Sequence, residues 1–220
     1  MNYNEVVKKS LPSFIGSRLI PTLGISAVFL LMAHKIPADL AVFSYVLAAA
    51  SVVSAFSSLL LATAGNKAAA LTHRESALSN LFTGGFTLAL FIAVLTSAIC
   101  LVVTYLLSTS GTIQHWDRET FWTLSLIYVA STPLLVINSF LQLFLEATGK
   151  ASQCTRGKTL ITVLSCLSLT LIFTLVNSHA LKYYAMSYFF VIELLTLIFL
   201  IRLSRGQRYY SLMHAKKNSG

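Results

Sequence analysis

One acidic residue, Glu193, stands near the middle of an otherwise apolar run from Tyr183 to Ile201. A carboxylate among apolar residues at that depth takes a proton, meets a partner or faces a polar path. Two readings follow: a proton-exchanging group on a substrate or ion pathway, or a protonated carboxyl hydrogen-bonded to a neighbouring helix. Its neighbours three and four residues away, Phe189, Phe190, Thr196 and Leu197, are mostly apolar and suit either reading. Asn138 lies five residues after Pro133 in another apolar run and needs a partner across a helix interface. Thr162, Ser165 and Ser168 recur on about one face of a third run, as a helix-packing face or as the wall of a polar cavity. These five residues, Glu193, Asn138, Thr162, Ser165 and Ser168, are the pathway candidates. Arg18 reads as a cation whose head reaches the membrane surface, with a pairing to Glu193 as the alternative.

Other chemistry is not provided for. His115, Asp117 and Glu119 are two residues apart in a turn, a poor arrangement for a metal. Cys100, Cys154 and Cys166 are too few and too scattered for a disulfide framework or a zinc site. The chain has no phosphate-binding glycine loop, serine-nucleophile elbow or zinc-protease helix. Neither enzymatic activity nor a cofactor is expected.

The elements that position these residues follow from composition. The 220 residues are 56% apolar and only 10% charged, with mean hydropathy +0.76. Soluble domains carry about 25% charged residues. The net charge of +9 comes from cations gathered in turns and at the tail, which points to lipid headgroups rather than nucleic acid. A bilayer core of about 30 Å takes about 20 apolar helical residues. Six runs meet that length: 13–33, 40–63, 80–107, 120–145, 159–177 and 183–201. The expected fold is an all-α integral membrane protein, a six-helix transmembrane domain over 1–203 followed by a basic cytoplasmic tail over 204–220. The N-terminal apolar run continues to Met32-Ala33 with no cleavage site in sight, and reads as an uncleaved first membrane helix.

Short polar connections separate the runs. Glu146-Ala-Thr-Gly-Lys150 ends the fourth helix, with Gly149 suited to the left-handed conformation that stops a helix, and a cationic loop through Lys158 is expected to follow. With a cytoplasmic N-terminus, thirteen of the sixteen cations lie inside; Lys35, Arg118 and Lys182 lie outside. Both termini are therefore expected in the cytoplasm, and the chain in the cytoplasmic (inner) membrane.

The stretch FLQLFLEATGKASQCTRGKTL, after a proline-bearing helix, resembles the junction of the fourth and fifth helices in the multidrug and toxic compound extrusion (MATE) transporters and the related polysaccharide flippases. The region from Leu11-Pro12 to Gly65-Asn66-Lys67 is similar as well, with a proline opening the first helix and an alanine-rich second one. The resemblance implies one six-helix lobe of a transporter built from two. It implies alternating access for an organic or lipid-linked substrate, as an efflux antiporter or flippase coupled to protons or sodium. The chain departs from that pattern in supplying six helices rather than twelve. It also lacks any acid from Leu19 to Ala33, where many of these transporters bind the coupling ion. In a lone lobe the five candidates would face lipid unsatisfied, so a homodimer or a second six-helix half is the expected partner, beside the bilayer itself. The alternative is a non-transporting interaction or immunity protein derived from such a lobe.

Overall fold

A computed structural model describes residues 23–24, 26–70, 75–109, 117–175 and 181–205. They are all-helical, without a strand. The elements are α1 (Ser26–Lys35), α2 (Pro37–Ala70), α3 (Glu75–Thr109), α4 (Arg118–Leu145), α5 (Ala151–Leu175) and α6 (Leu181–Arg205). Three stretches among them are long and apolar enough to cross a membrane: Ser76–Thr109, Arg118–Leu175 and Tyr183–Arg205.

The helices run past the limits that apolarity sets. α2 and α3 have 34 and 35 residues, or about 50 Å at 1.5 Å per residue. That is longer than the roughly 20 residues that would span a bilayer core, so an apolar run marks only part of the helix that carries it. The expected connections shrink accordingly. Only Ile36 separates α1 from α2; its N–H donates to Met32 O at 2.8 Å, and Pro37 opens α2, where its missing N–H costs nothing. At the other end of the chain's hydrophobic map, Asp117 caps α4. Its carboxylate accepts from the Thr120 backbone N–H at 3.0 Å and from the Thr120 hydroxyl, which satisfies one orphan donor of the first turn.

In place of the expected cationic loop after Gly149, the chain is helical. A single wide turn, Glu146–Lys150, joins α4 to α5, and α5 is already helical at Ala151. Thr148 and Gly149 alone leave helical geometry, Gly149 at φ +86°. This positive φ suits glycine, which has no Cβ to meet the carbonyl. The Thr148 hydroxyl donates to Phe144 O at 3.0 Å and to Leu145 O at 3.1 Å, tying the turn back onto the end of α4. Two residues suffice to kink the chain, and so the polar stretch from Ala151 to Lys158 stays helical.

α4 is the central helix. Thirteen of its 28 residues are buried, against four of 25 in α5. It packs most extensively on α2, α3 and α6, while α5 lies chiefly along α6. Two apolar cores form along it. The first gathers Phe121, Leu124 and Tyr128 with Met32, Val42, Phe43 and Phe173. The second gathers Val136, Phe140, Leu141, Phe144 and Leu145 with Leu61, Phe82, Cys154 and Leu200. Within it, Phe82 meets Phe144 edge-on at 5.0 Å and Phe140 at 5.6 Å between centroids, separations at which aromatic pairs attract. Glycine makes the close approaches possible. A Cβ on Gly85 of α3 would stand 2.6 Å from Phe140 Cε2, and one on Gly157 of α5 would stand 2.1 Å from Phe199 Cζ of α6.

The outer faces are apolar. Leu59 of α2 is 74% exposed, Val94 of α3 71% and Leu175 of α5 75%. Water-soluble monomers rarely show apolar patches beyond a few hundred Å².

Candidate functional site

The two cores are joined by a polar layer along α4. Ser131, Thr132 and Asn138 are buried there. Pro133 denies Val129 O its helical donor, while the Ser131 hydroxyl donates to Ile127 O at 2.9 Å and the Thr132 hydroxyl to Tyr128 O at 3.2 Å. α4 remains one helix across this proline.

At the centre of the layer Asn138 meets Glu193. The Asn138 Nδ2 amide donates to the Glu193 side-chain Oε2 at 2.7 Å and to the Glu193 backbone O at 2.9 Å. One amide thus fixes both the carboxyl and the backbone of α6 against α4. Asn138 is 3% exposed, and its Oδ1 is buried without a hydrogen-bond partner. Glu193 is half-buried. The expectation that these two groups lie unsatisfied on an open face is corrected: they face each other inside the bundle, because α4 and α6 bring residues 55 apart in sequence together.

A second polar group adjoins the pair toward the α4–α5 turn. Gln142 Nε2 donates to Glu146 Oε1 at 2.6 Å, and Lys158 Nζ donates to Gln142 Oε1. The amide therefore bridges an ammonium and a carboxylate, and this charge pattern fixes which end of it faces which. Lys158 also lies within electrostatic reach of Glu193. Asn138, Gln142 and Glu146 are four residues apart and form one stripe on α4. That spacing was visible in the sequence. Lys158 is not, because a polar stretch after a helix-stopping glycine reads as loop.

The remaining candidates are not brought to the pair. On α5, Ser165 is buried, Thr162 is half-buried and Ser168 is exposed, with its hydroxyl donating to Leu164 O at 2.8 Å. The three do not present a common buried face. Arg18 and His115 lie outside the described residues; Asp117 is engaged as the α4 cap. Among the described residues no cluster of His, Cys, Asp and Glu has the makings of a metal site.

No relative speaks for this arrangement. No protein-family model matches the chain, and no curated protein and no solved structure is significantly similar to it.

Proposed function

We propose that the chain is a multi-pass protein of the cytoplasmic membrane that serves as one six-helix lobe of a transporter, moving an organic or lipid-linked substrate by alternating access. The observation that carries this reading is a half-buried carboxyl held by a buried amide between two helices, within an exterior of leucine, valine and phenylalanine. Ionisable groups at membrane depth are costly and mark ion or proton paths far more often than plain packing requires. Glu193 is the coupling group in this reading, with Asn138 as its positioning partner. Ser165, Thr162 and Ser168 contribute to the wall of the path on α5. A substrate path between lobes needs a second lobe, supplied by another copy of the chain or by a separate six-helix protein.

A second reading is favoured by one observation. Asn138 donates both of its bonds to Glu193 within the chain, a packing contact that a non-transporting protein binding or protecting another membrane complex would equally keep. Both readings share the same topology, and reporter fusions test it. A periplasm-active reporter should be silent when fused after Gly220 and active when inserted after His115. The motive is the excess of lysine and arginine on one side of the spans. Activity at Gly220 with silence at His115 would reverse the orientation.

A further inference from the structure

α5 begins where α6 ends. Gly157 of α5 meets the Phe199 ring of α6, and at the far end Phe173 shares a core with Leu181 and Ala185. Two arginines flank the Gly157–Phe199 crossing. Arg156 precedes Gly157 on α5, and Arg202 follows Phe199 by one turn on α6; both are exposed. At 1.5 Å per residue the two lie about 3 Å apart along the bundle, on neighbouring helices. Each stands at the end of an exposed apolar stripe. Leu160 and Leu164 follow Arg156 at intervals of four, and Leu195 and Ile198 lead up to Arg202 at intervals of three and four. Positions so spaced share one face of a helix. Depth agrees with this placement. From Tyr184, exposed at the other end of α6, to Arg202 is about 27 Å, close to a bilayer core of about 30 Å. Tyrosine and arginine then stand at opposite interfaces.

Neither arginine has an ion pair or a side-chain hydrogen bond among the described residues. The only acid on α5 or α6 is Glu193, which Asn138 holds. Two exposed guanidinium groups above hydrocarbon stripes are complemented by an anion that carries hydrocarbon. We propose that Arg156 and Arg202 together hold the phosphate of an anionic phospholipid, whose acyl chains lie along the two stripes outside the α5–α6 crossing. A guanidinium presents a planar fork of donors to phosphate oxygens, and basic sites between membrane helices take acidic headgroups. The lipid is anionic rather than zwitterionic because an amine on the headgroup would set a third cation against the two arginines. Gly157 has a part as well: a side chain there would push the helices apart, and the two arginines with them. At the opposite end of the bundle Arg118 stands between Asp117 and Glu119 in sequence and offers no such clamp. The proposal rests on the chain spanning a membrane, as read above, and not on transport.

Photoactivatable lipids test it. The full chain is reconstituted in phosphatidylcholine vesicles that contain a trace of either phosphatidylglycerol or phosphatidylcholine with a diazirine on one acyl chain. After illumination the labelled residues are read by peptide mass, and labelling of the stripes is normalised to the exposed α3 face at Phe91 and Val94. A basic residue near the surface is worth about fivefold in binding an anionic lipid. The phosphatidylglycerol probe should therefore label Leu160, Leu164, Leu195 and Ile198 up to about thirtyfold more than the phosphatidylcholine probe. Arg156→Gln together with Arg202→Gln should bring the ratio to about one, and Arg118→Gln should leave it unchanged. If the double variant fails to accumulate, the wild type at roughly 1 M salt, where charges are screened beyond about 3 Å, should lose most of its preference. Equal labelling of the stripes by the two probes overturns the proposal. So does a preference that survives the double variant or high salt, or that Arg118→Gln removes. Labelling of α3 by both probes shows the chain to be in the bilayer, so these outcomes bear on the lipid site alone. No labelling of α3 by either probe would overturn the membrane reading together with the site.

Discussion

Replacing Asn138 by leucine should destabilise the bundle by about 1–2 kcal/mol, while replacing Asn138 and Glu193 together by leucine should cost much less than the two single changes summed. Asn138 is the donor of both bonds to Glu193. Removing it leaves the carboxyl and a backbone carbonyl without that donor. A buried polar group stranded in this way costs about 1–3 kcal/mol, whereas removing both partners is nearly neutral. The expected value lies below the upper end, since interhelical hydrogen bonds in membranes average about 0.6 kcal/mol and reach about 1.7. A double-mutant cycle, read by unfolding in mixed detergent micelles, measures the coupling directly. A coupling indistinguishable from zero would mean that the bonds contribute nothing to holding α6 on α4.

The largest packing effect should fall at Gly157. Its Cβ would lie 2.1 Å from Phe199 Cζ and 2.4 Å from Cε1, and Phe199 is half-buried at the α5–α6 contact. Gly157→Leu should therefore cost about 1–3 kcal/mol by overpacking, exceeding the gain of about 1 kcal/mol in helix propensity over glycine. The same change with Phe199→Ala should recover most of the loss, because leucine then occupies the volume the ring vacates. Thermal unfolding of the three proteins decides the matter. A single variant as stable as the wild type would show that α5 and α6 do not approach at Gly157. Failure of Phe199→Ala to rescue would place the strain elsewhere.

Much of the helical architecture was legible because apolar runs of membrane length leave the backbone no option but to satisfy itself internally. Gly149 was legible for a local reason: a glycine after Glu-Ala-Thr, before a cation, has the chemistry of a helix stop. The helix limits were not. Ala151–Lys158 is polar and reads as loop, yet it is helical, since it has no proline and the kink at Thr148 and Gly149 is complete before Ala151. That helical stretch carries Lys158, and with it the Gln142 bridge. Asn138 and Glu193 could each be recognised as needing a partner. That they are each other's partner depends on how α4 and α6 are rotated, which no spacing within either helix encodes. Ser168 illustrates the converse: its spacing from Ser165 suggested a common face, but the rotation of α5 buries one and exposes the other.

The central claim, that Glu193 couples proton movement to substrate movement, is tested most directly by proton flux. Wild type and Glu193→Gln are reconstituted in vesicles carrying an inward-acid pH gradient and an internal pH dye, and a panel of organic cations and lipid-linked sugars is added outside. The account predicts that at least one compound drains the gradient through the wild type, and that Glu193→Gln, present in equal amount and equally folded, abolishes this flux. A compound that drains the gradient equally through both proteins would contradict it.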